Sequence, residues 1–143
     1  MQIVTDRADV VGPWVYAQIG KLWINDPTYG TALGWVNHAG DLVAGVTFTN
    51  FDGANVWLDC AALPKARWAD RRALWAVFHY PFEQLGCVRV SSLVPAENTV
   101  ARKFNESAGL VHEATLARAA PNNGDMMVYR MFREDCRWLR REA

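Results

Sequence analysis

The chain has 143 residues, with 15 basic and 15 acidic side chains and a formal net charge of +0. That balance argues against a general binder of nucleic-acid backbones, and a hydrophobic share of 51% excludes a disordered chain. The length fits one domain, residues 1–143, able to bury a substantial core.

No apolar run approaches the roughly 20 residues needed to cross a bilayer. The start, MQIVTDRADVVG, lacks the basic and apolar regions of a secretory leader. A cytoplasmic protein without membrane contact is the expectation. Cys60, Cys87 and Cys136 have no paired spacing, which fits a reducing compartment. Seven tryptophans exceed what a core of this size needs, leaving one or two for a pocket or an oligomer contact.

In chain order, residues 2–5 read as a short edge strand, and Gly12–Pro13 as a break that starts a helix over residues 13–23. Val15, Ile19 and Leu22 share its inner face. Residues 31–36, 42–49 and 55–61 are β-prone and separated by Asn-, Asp- and Gly-rich turns, which predicts an antiparallel meander. Pro64 ends it. Leu74, Val77, Phe78, Phe82 and Leu85 then recur at helical spacing, with Pro81 expected to kink the last turn. A strand over residues 88–94 follows, then a helix carrying Val100, Ala101, Phe104 and Ala108 up to Gly109. Strands over residues 112–119 and 126–133 and a short basic helix over 134–141 complete the chain. Helix, strand and helix in succession make the centre of a mixed sheet with helical cover.

Metal signatures are absent: His38, His79 and His112 stand singly, and there is no HExxH or C-x-x-C pattern. No GxSxG elbow is present, and Cys60 and Cys87 read as core thiols. The start of the central helix is more informative. Free N–H groups and the helix dipole favour an anion there, and Arg67, Arg71 and Arg72 add positive charge. A phosphate group fits that end; so does a solvated basic turn with Asp70 as helix cap.

The stretch FHYPFEQLGCVRVSSLVPAENTVARKFNESAGLVHEATLARAA, residues 78–120, resembles the GCN5-related N-acetyltransferases, in particular the branch with the ribosomal-protein alanine and serine acetyltransferases. The shared pattern is a helix ending in aromatic-x-x-Leu-Gly, a strand, an asparagine and a second helix closed by glycine. The resemblance implies an α+β domain with a central, mostly antiparallel sheet of six or seven strands, flanking helices and one splayed strand pair. It further implies an acetyl-coenzyme A site between residues 57–62 and 88–94, with no metal.

In that family a loop of basic or glutamine-x-x-Gly-x-Gly/Ala receives the pyrophosphate. It falls on Lys65–Ala66–Arg67–Trp68–Ala69–Asp70, where Trp68 and Asp70 replace both glycines. Arg67, Arg71 and Arg72 are the expected compensating charges, with Trp68 and Ala69 against the coenzyme. Backbone donors of Cys60, Ala61, Ala62 and Leu63 would polarise the thioester carbonyl. Asn98 matches the asparagine beside the pantetheine arm and is equally a good helix cap. The position of the family's acidic tyrosine is Asn105, with Phe104 beside it, and Tyr129 is the expected substitute or a packed aromatic. Glu113, slightly preferred, and Asp59 are the candidate general bases.

The function this implies is direct acetyl transfer from acetyl-coenzyme A to a primary amine, a protein N-terminus or a small amine, by a homodimer. Trp14, Tyr16 and Trp23 would contribute aromatic surface at the acceptor side. A different class stays open beside it: a non-catalytic acyl-coenzyme A sensor or protein-interaction domain with a degenerate pyrophosphate loop. A nucleic-acid module using Arg137, Arg140 and Arg141 is disfavoured by overall neutrality.

Overall fold

The computed structural model describes residues 1–140. Seven strands form one sheet in the order β1-β2-β3-β4-β5-β7-β6. Strand β1 is Gln2–Val4, β2 Gly30–Val36, β3 Leu42–Thr49 and β4 Asn55–Ala62. Strand β5 is Arg89–Pro95, β6 Val111–Leu116 and β7 Met126–Phe132. Every neighbouring pair is antiparallel except β4 and β5. This is the α+β class implied by the resemblance.

The parallel pair is short. Strands β4 and β5 pair only through Asn55–Arg89, Val56–Val90 and Trp57–Ser91. Beyond that point β4 runs to Ala62 paired only with β3, and β5 runs to Pro95 paired only with β7. The sheet therefore opens between Leu58 and Ser92.

The two faces of the sheet bury different cores. Helices α2 (Arg71–His79) and α3 (Thr99–Ala108) cover one face, where Trp35, Val46, Phe48, Leu58, Val77, Phe78, Phe82, Val90, Tyr129 and Met131 pack together. Helix α1 (Ala8–Gln18) covers part of the other with Val11, Val15, Tyr16, Trp23, Ala32 and Ala61. Gly45 lets α1 come close, since a Cβ there would lie 2.5 Å from Val15 Cγ2.

Three elements depart from the sequence reading. Helix α1 starts at Ala8 and carries Pro13 inside it. Gly12 packs under the Trp23 ring, and the chain leaves the helix at Gly20 with φ +73. Leu22 lies past that turn and is 86% exposed rather than inward. Pro81 causes a change of helix type: α2 widens into a π-helical turn, Tyr80–Gln84, with Leu85 N–H donating to Tyr80 O at 3.0 Å. Proline lacks the N–H that the α-helical ladder needs, and a wider turn absorbs the defect. The basic terminal helix is replaced by 3₁₀ turns Arg133–Asp135 and Arg137–Leu139, and Arg141 lies outside the described residues.

Candidate acceptor and thioester site

Period-two alternation along β4 sends Leu58 and Cys60 to the α2–α3 face and Trp57, Asp59 and Ala61 to the α1 face. Asp59 therefore stands at the fork, just past the last β4–β5 pair, on the side that α1 covers only partly. A cavity of about 410 Å³ opens there, lined by Tyr16, Lys21, Tyr29, Thr49, Trp57, Asp59 and Leu93. It touches both diverging strands.

The Asp59 side chain is only 12% exposed, and Lys21 Nζ lies 3.4 Å from both its oxygens. Burial raises the carboxyl above the usual aspartate range; the Lys21 charge and hydrogen bonds from Lys21 and Tyr16 oppose the rise. Lys21 also sits 5.6 Å from the centre of the Tyr16 ring. Tyr16, Trp23 and Tyr29 meet edge to face, which fixes that ring. Burial is the main cause raising the Tyr16 hydroxyl, with Tyr29 and Asp59 adding to it, so it stays a neutral donor. Thr47, opposite Asp59 in the β3–β4 register, has a fully buried hydroxyl with no hydrogen-bond partner.

On the strand edge the hydrogen-bond ladder sorts the expected backbone donors. Leu63 N–H already donates to Val43 O at 2.8 Å. Alternation in an antiparallel ladder then turns the amides of Ala61 and Asp59 toward β3, and those of Leu58, Cys60 and Ala62 toward the opening. Of the four expected donors, Cys60 and Ala62 face the gap, whereas Ala61 and Leu63 are spent on β3. The Cys60 thiol is pushed up to about 12, mainly by burial with help from Asp59, and is no nucleophile near neutrality.

The loop before α2 turns one glycine replacement inward and uses the other as the helix cap. Trp68 does not lie out against a ligand: it is buried in the core, 4.7 Å from the Trp35 ring centre and stacked on Phe104 at 5.5 Å. Asp70 caps α2, its Oδ1 accepting from Ala73 N–H at 2.9 Å. Lys65, Arg67, Ala69, Arg71 and Arg72 are exposed around that end. Arg71 donates to Arg140 O at 3.3 Å.

Of the other expected residues, Glu113 lies away from the fork, whereas Tyr129 and Asn105 adjoin Ser92 on its β5 side. Glu113 is on β6, the far edge of the sheet, held by Arg89 at 2.9 Å and Arg130 at 3.3 Å. Two strands and two guanidinium groups separate it from the opening, at which Asp59 stands directly. Tyr129 is fully buried beneath α3, its hydroxyl accepting from Arg102 Nε at 3.4 Å. Asn98 caps α3, with Oδ1 accepting from Ala101 N–H. Asn105, in the tyrosine's place, is buried and donates to Ser92 Oγ at 3.3 Å. Among the described residues no group of three metal-ligating side chains converges, and no helix is long and apolar enough to cross a membrane. Sequence reasoning missed Lys21, Tyr29 and Thr47. The aromatic run from Tyr16 to Tyr29 is the signal for the first two; Thr47, on β3, has none.

No protein-family model matches the chain, nor does any curated protein sequence. Solved structures do. A spermidine N-acetyltransferase SpeG variant from Vibrio cholerae matches with a TM-score of 0.75 at 12% identity, over 97% of this chain and 96% of that one. An acetyltransferase of the GNAT family from Bacillus anthracis matches with 0.61 at 20% identity, over 72% and 66%. The fold is the GNAT acetyltransferase fold. At these identities the likeness carries the fold alone. The neighbours correct two expectations drawn from the resemblance. They include spermidine enzymes instead of ribosomal-protein acetyltransferases, which withdraws that branch and its protein N-terminus acceptor. One V. cholerae structure is described as dodecameric, with 0.73 at 12% identity over 93% and 94%, which withdraws the homodimer.

Within this GNAT fold the donor set fits a thioester coenzyme. Its arm needs strand-like partners, and Cys60 and Ala62 offer unpaired amides in the opening. Its pyrophosphate needs positive charge, and Lys65, Arg67 and Arg72 surround the α2 N-terminus. The Trp68 indole joins β2 to α3 through the Trp35 and Phe104 rings.

Proposed function

We propose that this chain transfers an acetyl group from acetyl-coenzyme A to the primary amine of a small cationic molecule, polyamines being the best-supported class. The observation that carries the reading is Asp59: a largely buried carboxylate at the strand fork that already holds an ammonium group. Support for the class comes from the fold and from the spermidine acetyltransferases that share it.

When bound, the coenzyme supplies an activated acetyl thioester. The amides of Cys60 and Ala62 would draw charge onto the carbonyl oxygen. Asp59 attracts a cationic amine and takes its proton, because only the neutral amine is nucleophilic. Burial strengthens Asp59 as a base. Tyr16, Tyr29 and Trp57 wall the cavity. Asn105 has no acidic proton to give, so the tyrosine role of the family has no heir at that position.

Spermidine, spermine, butylamine and a short peptide, each incubated with acetyl-coenzyme A and monitored for thiol release, test the reading. Release with the polyamines, lost in Asp59→Asn, is the expected result. Coenzyme binding with no release from any amine would favour a non-catalytic acyl-coenzyme A sensor, to which the Trp68 plug and Asn105 point. Absence of coenzyme binding at millimolar concentration would remove both.

A further inference from the structure

The cavity at the strand fork already contains an amine, and it belongs to the chain. Gly20, with φ +73, turns the backbone after α1, and Lys21 N–H is tied to Tyr16 O at 2.8 Å. From there the side chain reaches Asp59, 38 residues on, and rests 3.4 Å from both carboxylate oxygens beside the Tyr16 ring. Leu22, the next residue, is 86% exposed, while Trp23 after it is buried against the Tyr16 and Tyr29 rings and anchors the segment. The Lys21 ammonium itself meets the sheet through the Asp59 carboxylate.

We propose that Lys21 is an internal acceptor: its amine occupies the ammonium subsite formed by Asp59 and Tyr16, competes there with external amines and is itself acetylated by the chain. The covalent half rests on the function proposed above. Lys21 passes one proton to Asp59, and its nitrogen lone pair attacks the thioester carbonyl carbon. A C–N bond forms as the C–S bond breaks, and the second proton of the attacking nitrogen passes to the departing sulfur. One amine and one thioester give one amide and one thiol. The product side chain has no charge, so Asp59 loses its resident partner and the subsite becomes free for an external cation.

The sequence provides its own control, because the chain has only three lysines, Lys21, Lys65 and Lys103. Lys65 lies in the loop before α2 and Lys103 on α3, both exposed. Uncatalysed acetylation would label these at least as readily as Lys21, which is 43% exposed and paired.

Two measurements on the whole chain decide the matter. The first needs no coenzyme: butylamine is titrated into wild type, Lys21→Ala and Lys21→Arg by calorimetry. A subsite occupied by a resident lysine lowers apparent affinity by the free fraction, so Lys21→Ala should bind on the order of tenfold more tightly. Lys21→Arg, which keeps the ion pair, should stay near wild type. Equal affinity in wild type and Lys21→Ala would overturn the competition. The second incubates the chain with acetyl-coenzyme A and maps acetyl groups by peptide mass spectrometry. Label concentrated on Lys21, and lost in Asp59→Asn, is expected. Equal label on all three lysines, or transfer to added spermidine with none to Lys21, would overturn self-acetylation while leaving the proposed function standing. No transfer to any amine would bring down both. Thermal melts of the variants keep misfolding from passing as loss of binding.

Discussion

The indole of Trp68 stacks on the ring of Phe104 at 5.5 Å with 30° between their planes, tying the loop before α2 to α3. With Trp35 on the other side, it makes a three-ring bridge from β2 to α3. This bridge lies in the layer where the acetyltransferase fold opens between β4 and β5. Trp68→Ala should therefore do two opposite things. Loss of the buried ring should cost about 3–5 kcal/mol of stability, read by urea unfolding. Acetyl-coenzyme A should bind more tightly, because the layer widens. Trp68→Phe should show a smaller loss and a smaller gain. Stability unchanged in Trp68→Ala would place the ring outside the core.

Asp59 and Glu113 make opposite predictions although both are carboxylates on strands. Asp59→Asn removes the proposed base and should lower kcat by about 10²–10⁴-fold. Glu113→Gln should leave kcat near wild type and cost at most about 1 kcal/mol, as expected for a half-exposed ion pair. A kinetic loss in Glu113→Gln as large as that in Asp59→Asn would reinstate Glu113.

The raised Asp59 carboxyl also gives a pH signature. The folded chain binds this proton more tightly than the unfolded chain does. Stability from this group is therefore fully present below the ordinary value of 3.8 and is lost as pH rises through the higher folded value. Asp59→Asn should match wild type in strongly acidic solution and melt at a higher temperature near neutrality. Activity should have the reverse dependence, with an acid limb centred above the usual aspartate range. A limb at or below 3.8 would remove Asp59 as the base.

Much of this architecture could be read from residues 42–110. Alternating apolar residues in β3, the 74–85 helical stripe and Gly109, at φ +104, all report local backbone preferences. The site was less legible because its parts meet through long-range packing. Nothing local to Lys21 signals a carboxylate 38 residues away. Trp68 falls on a phosphate-loop position by alignment, yet its neighbours in space, Trp35 and Phe104, lie 33 and 36 residues distant and pull it inward. Pro13 suggested a helix start because proline suits a first turn, whereas tertiary contacts of Val11 and Val15 extended α1 a turn earlier.

The seating of α1 on the sheet controls where Tyr16, and hence the proposed acceptor cavity, is placed. Gly45→Ala should push against Val15, since the added carbon would lie 2.5 Å from Val15 Cγ2. Overpacking of this kind costs about 1–3 kcal/mol. The α1 face should loosen first, so amine affinity should fall while coenzyme affinity stays. Hydrogen exchange should localise the change to α1 and β2–β3. Uniform exchange across the sheet would mean that α1 is not separately seated.

Asn98 carries the last separable question, whether it serves the helix or the coenzyme. Its Oδ1 accepts from Ala101 N–H at 3.1 Å, an N-cap bond. Asn98→Ala should therefore cost about 0.5–2 kcal/mol, and Asn98→Ser or Asn98→Asp should recover most of it, because each restores a capping oxygen. Coenzyme affinity should follow stability and be rescued by the same replacements. A shorter serine or a charged aspartate cannot reproduce an amide's contact with a pantetheine arm. Full stability with lost affinity in Asn98→Asp would therefore show that the amide touches the coenzyme directly.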